Sequence, residues 1–160
     1  MRTKIELCND EIAVYREDEG AFRCCVNWDG IPVRLRIACD PYNIDGIKRA
    51  MAIFEKLWDN QECYEEVWEN EYYSRLLPIL TCSNQYLDEV LTEKELQSSF
   101  QLSDITIIDD MPMREVQASY ILKPEKIEQI EICVAGTLEK GFHTVYVNGT
   151  IVGTEESGYA

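Results

Sequence analysis

The sequence predicts an α+β domain in which an antiparallel sheet is packed against two or three helices. Three observations carry this. Apolar and polar residues alternate through the first forty positions and again in the last third of the chain. Between them, 43–80 holds two consecutive runs with apolar residues at spacings of three and four. The order is therefore strands, helices, strands, without the regular alternation of a doubly wound parallel sheet. At 160 residues, 46% hydrophobic, the chain is long enough for one sizeable core and too short for two. The expected organisation is one domain over 1–153 and a loose, polar tail over 154–160.

Lys4 to Leu7 and Glu11 to Tyr15 read as short strands with Ile5, Leu7, Ile12 and Val14 on alternating positions, broken by Cys8-Asn9-Asp10. After the polar loop Arg16 to Gly20, Phe22 to Trp28 and Ile31 to Ala38 flank Asp29-Gly30. An Asp-Gly pair between alternating runs is a strong hairpin signal, because the tight turn needs positive φ and glycine supplies it at no steric cost. In the second arm Val33, Leu35 and Ile37 share one face and Arg34 and Arg36 the other, so one side is expected to be buried and one wet.

Asp40-Pro41 ends that strand and Asn43 is placed to cap a helix running to about Trp58. Its apolar stripe is Ile44, Ile47, Met51, Phe54 and Leu57, which needs a sheet to bury it. Asp59-Asn60 breaks the pattern. A second helix begins near Gln61, with Tyr64, Val67, Trp68, Tyr72, Arg75 and Leu76 on one broad face, and Pro78 is expected to kink or end it. Thr92-Glu93-Lys94-Glu95 has capping-box spacing between Leu91 and Leu96, so a short third helix is expected to about Phe100. Strand patterns then return at Ile105 to Ile108, Val116 to Leu122, Ile127 to Ala135 and Thr144 to Val147, punctuated by Gly136, Gly141 and Gly149.

Thirty acidic residues against fifteen basic ones give a formal charge of -15, which repels phosphate backbones and anionic membranes and attracts basic partners. No direct nucleic-acid ligand is expected. The seven cysteines, Cys8, Cys24, Cys25, Cys39, Cys63, Cys82 and Cys133, form no C-x-x-C pair and no disulfide framework. They read as reduced, mostly buried thiols, which points to a reducing cytoplasm. Met1 to Glu6 is charged and alternating, so no signal peptide is expected, and no apolar run approaches a bilayer span. Asn148-Gly149-Thr150 reads as a turn.

Catalytic equipment is sparse. No phosphate-cradling glycine motif occurs, the acidic pairs lack the succession of an EF-hand, and neither a metal nor another cofactor is expected. His143 is the single histidine, and no serine or acid stands at a spacing that defines a triad with it. Cys133 could act as its thiol nucleophile, although its place between Ile132 and Val134 in a strand pattern favours a packed thiol. One constellation stands out. Asp59, Glu62, Glu65, Glu66 and Glu69 recur at spacings of three and four with no intervening Lys or Arg, forming, if helical, one acidic stripe opposite Val67.

This order of elements resembles a bacterial domain family of unknown function linked to polymorphic-toxin immunity loci. The matching residues are Trp28-Asp29-Gly30 with Val33, Leu35, Ile37 and Asp40, then Ile47 and Phe54, then Ile132 to Gly136 with Leu138, Gly141 and Val147 to Gly149. Where other members carry an aromatic-Gly-His element, this chain reads Lys126-Ile127-Glu128-Gln129. The resemblance implies an immunity role and supplies no catalytic residue. The functional expectation is a cytoplasmic, non-enzymatic binding protein that neutralises a basic partner through the acidic stripe, with no membrane contact. The alternatives are a housekeeping module whose acidity serves solubility, and a hydrolase using Cys133 and His143.

Overall fold

The computed structural model describes residues 1–80, 100–110, 112–122, 130–147 and 150–153. The strands are β1 (Lys4–Glu6), β2 (Ile12–Arg16), β3 (Ala21–Trp28), β4 (Ile31–Cys39), β5 (Phe100–Asp110), β6 (Met113–Leu122), β7 (Ile130–Thr137), β8 (Gly141–Val147) and β9 (Thr150–Gly153). Helices α1 (Ile44–Asp59) and α2 (Gln61–Leu80) lie between β4 and β5. The nine strands form one sheet in sequence order, so the chain is α+β as expected. Every pair is antiparallel except β4 with β5. The sheet is thus mostly antiparallel, as expected, and the parallel junction is its one exception. It arises where the chain leaves the sheet through the helices and returns, since a long crossover can deliver a parallel neighbour and a hairpin cannot.

The β3–β4 turn has the predicted geometry, with Asp29 at φ 50 and Gly30 at φ 82, the two left-handed residues that match the strand twist. Its register pairs Phe22 with Ile37 and Val26 with Val33, all buried, and Arg23 with Arg36 on the opposite face. On that opposite face Arg34 crosses to Asp104 of β5, Nε to Oδ1 at 2.9 Å and a terminal nitrogen to Oδ2 at 3.0 Å.

The first hairpin departs from the alternation reading. Asp10 adopts φ 69 and closes the turn with its N–H on the Leu7 carbonyl, and the resulting register sets Ile5 opposite Ala13. Ala13 therefore faces the core, whereas Ile12 and Val14 are 52% and 40% exposed. A one-residue difference in phase exchanges the two faces of a strand, and here the small alanine, not the branched residues, lies inside.

Asn43 caps α1 as predicted, its Oδ1 accepting the Gly46 N–H at 3.1 Å. The buried arc is Gly46, Ile47, Ala50, Phe54 and Leu57; Met51 is half-buried and Ile44 exposed. At 100° per residue, Ile44 and Met51 fall roughly 100° from the centre of that arc. Ala50 and Leu57 stand nearest its centre and Gly46 at one edge, and Gly46 and Ala50 are too small to register in an apolar stripe. Arg49 anchors the helix to β5, donating from Nε to buried Asp109 Oδ2 at 3.0 Å and from a terminal nitrogen to Oδ1 at 3.2 Å.

Helix α2 runs through Pro78 to Leu80. The helix therefore does not end at the proline itself, and its bounds close two residues beyond it. Strands β5 and β8 start earlier than predicted and β9 was not predicted. The expected helix after Thr92 and the tail over 154–160 lie outside the described residues.

Helix α1 packs on β4 and β5, and α2 on β7, β8 and β9. The core between them is organised by a chain of rings holding all three tryptophans. Phe54 stacks on Trp58, Trp58 meets Trp28 edge to face, and Trp28 stacks on Trp68 at 5.9 Å. Trp68 then meets Phe142 edge to face at 5.8 Å, with Tyr64 beside both. Trp28 belongs to β3 and Phe142 to β8, five strand spacings apart, about 24 Å in a flat sheet. Both touch Trp68, so the sheet curls around the helices.

Candidate functional site

Helix α1 ends at Asn60, whose backbone (φ -132, ψ 39) leaves helical geometry and whose N–H bonds the Leu57 carbonyl. The same residue opens α2, its carbonyl accepting the Tyr64 N–H at 3.1 Å. This double role divides the predicted stripe. Asp59 lies in the last turn of α1, and only Glu62, Glu65, Glu66 and Glu69 share α2. Those four fall within an arc of roughly 100°. Glu62 and Glu66 are exposed, and Glu65 and Glu69, on the side of the arc nearer the sheet, are half-buried. Among the described residues none of the four has an ion-pair partner.

Half-burial changes the chemistry of the row. Burial, then the charge of Asp29, push the Glu65 carboxyl up to about 7; the Trp28 indole N–H, which faces it, works in the opposite direction. Glu65 Oε1 and Trp28 Nε1 are both buried without a closed hydrogen bond. Glu69 is raised as well, by burial and then by Glu66. The stripe is therefore no uniform carboxylate face at neutral pH.

Asp29 belongs to this site although sequence reasoning gave it only a turn. Its N–H donates to Gln61 Oε1 at 2.9 Å, which ties the β3–β4 turn to the first turn of α2. No local signal could have placed a hairpin residue against a helix that begins 32 positions later. The acidic field also reaches the β1–β2 turn, where burial, then Glu55 and Asp59, raise the Cys8 thiol.

The second candidate pair is not assembled. Cys133 lies on the face of β7 that pairs it with Ser119 and Tyr146, where burial above all pushes its thiol up to about 11. A thiol so raised is not a nucleophile at neutral pH. His143 belongs to the other face. It is the extra residue of a bulge between Gly136↔Phe142 and Ala135↔Thr144; its Nε2 lies 3.0 Å from the Lys140 carbonyl and its Nδ1 3.7 Å from Glu71 of α2. The bulge depends on glycine, since a Cβ on Gly136 would stand 2.1 Å from the Gly141 carbonyl oxygen.

Of the six described cysteines, all unpaired, Cys39 is buried, Cys24 and Cys133 are half-buried, and Cys8, Cys25 and Cys63 are exposed. The expectation of mostly buried thiols fails for the last three: Cys8 sits in a turn, Cys25 on the outward face of β3 and Cys63 near the start of α2. Among the described residues no group of three His, Cys, Asp or Glu side chains is set to hold a metal ion, and no helix is long and apolar enough to cross a membrane. Compared with known proteins, the chain matches no family model, no curated protein and no solved structure.

Proposed function

We propose that this protein is a non-enzymatic binding protein whose partner is a basic protein and whose docking surface is the carboxylate row of α2. The observation that carries this reading is the absence of countercharge: Glu62, Glu65, Glu66 and Glu69 share one arc and pair with no described cation. Among the described residues, the arginines in ion pairs serve the sheet and α1, with Arg23 on Glu19, Arg34 on Asp104, and Arg49 and Arg114 on Asp109. A charge of -15 steers a cationic partner and raises its association rate more than its intrinsic affinity. A row of carboxylates suits a groove made for phosphates. The resemblance through Trp28-Asp29-Gly30 and the later glycines supports the narrower reading, a cytoplasmic immunity protein that neutralises a basic toxin.

The test is co-purification from the native host, identification of the bound protein, and charge reversal at Glu62, Glu65, Glu66 and Glu69. The expected result is a basic partner whose binding is lost on reversal and weakens with salt. A partner that binds equally well after reversal and in high salt reduces the row to a solvated face.

A further inference from the structure

Strands β2, β3 and β4 carry four arginines, Arg16, Arg23, Arg34 and Arg36, and no aspartate or glutamate, in a chain with twice as many acids as bases. Strand parity puts all four on the face turned away from Phe22 and Ile37. The register extends this into a row, in which Lys4 of β1 pairs with Val14, Val14 with Arg23, and Arg23 with Arg36. Two guanidinium groups directly across a strand pair repel and weaken it. Asp104 closes Arg34, whereas Glu19 gives its carboxylate to Arg23 and only its backbone carbonyl to Arg36, at 3.1 Å. Arg36 Nε is buried without a hydrogen bond, and Lys4 and Arg16 are exposed with no ion-pair partner among the described residues. Beside these cations, on the same face of β2, stand the exposed Ile12 and Val14.

We infer that this face is a second docking surface, independent of the α2 row, and that its occupant is a short protein segment with a carboxylate on either side of an aliphatic residue. Lys4 and Arg36 stand three strand spacings apart, about 14 Å, and an extended run with acids four residues apart and an aliphatic residue midway covers about the same length. One carboxylate then meets Lys4, the aliphatic side chain covers Val14, and the other carboxylate accepts from Arg23 and Arg36 and relieves their repulsion. Nucleic acid fits less well. Its phosphates offer nothing to Ile12 and Val14, and its charge density meets a chain of -15, whereas a short segment brings only a few charges. Helix α2 lies on the other face, packed on β7, β8 and β9, and screening at physiological salt acts over about 8 Å, so its carboxylates weaken the site little.

The experiment titrates a capped peptide, Gly-Glu-Ser-Leu-Ser-Glu-Gly, into the full chain at about 0.15 M salt and follows backbone amide shifts by NMR. Far-UV circular dichroism confirms that each variant is folded. Shifts in wild type should fall on β1 to β4. Joint Lys4→Glu and Arg16→Glu substitution should weaken binding about tenfold, and Val14→Thr about threefold. Glu62→Lys with Glu66→Lys should not weaken it. Replacing both peptide glutamates by glutamine should abolish binding.

Absence of peptide shifts on β1 to β4 overturns the proposal, as does equal binding by the Lys4 and Arg16 double variant or by the glutamine peptide. Two further arms test other occupants. A single-stranded oligonucleotide that binds this face more tightly than the peptide makes it a nucleic-acid surface and overturns the proposal. Sedimentation of wild type alone should show monomers; oligomers that Arg16→Glu dissolves would make the occupant a second copy of the chain, and the separate segment falls.

Discussion

Burial and the charge of Asp29 raise Glu65 from an ordinary 4.5 to about 7. Between those values the folded chain holds a proton that the unfolded chain has released. Stability linked to this group is therefore fully present below the unfolded value and is lost as pH rises through the folded one. Glu65→Gln removes the titration. It should stabilise the protein above neutrality by about 1 kcal/mol, once solvent screening of a half-exposed group is allowed for, and change little near pH 5. Urea midpoints of both proteins at the two pH values check this; equal shifts at both would mean that the gain is packing and not charge. The carboxylates were legible from spacing alone. Their inequality was not, because Glu65 and Glu66 are adjacent in sequence and only the position of the sheet makes one half-buried and the other exposed.

Local chemistry settles most element boundaries. Asn43 satisfies the Gly46 N–H, one of the four donors a helix start leaves open. Asn43→Ala should cost about 1 kcal/mol, whereas Asn43→Asp should cost little, because a carboxylate both accepts that bond and faces the positive end of the helix dipole. Thermal denaturation of the two variants separates capping from a loss of side-chain bulk. The Asp29-Gly30 turn was legible for the same reason, being a backbone requirement stated by two adjacent residues. Faces were read less well than boundaries. The arc of α1 includes Gly46 and Ala50, and β2 buries Ala13 while exposing Ile12 and Val14. In both, small residues lie on the buried face, and hydrophobic spacing gives small residues little weight.

Across the whole molecule, Trp68 bridges two distant strands of the curled sheet, stacking on Trp28 of β3 and meeting Phe142 of β8. Replacing it with alanine removes a fully buried ring from contact with both. Trp68→Ala should destabilise the fold by about 4 kcal/mol. Near-UV circular dichroism of the remaining tryptophans should fall with it, since Trp28 and Trp58 lose the packing that fixes their rings. A cost near that of an ordinary surface substitution would show that the curl is held by the strands alone.

By itself the sequence determined the α+β class, the β3–β4 turn, the cap of α1, the break at Asn60 and the acidic row, because each depends on residues within a few positions of one another. Tertiary structure alone decided the parallel β4–β5 junction, the exposure of Ile12 and Val14, the separation of Cys133 from His143 on opposite faces, and the meeting of Glu65 with Asp29. Each of these depends on which distant segment arrives alongside. Register and curl fix that through long-range packing, for which no local pattern of residues is a sufficient cause.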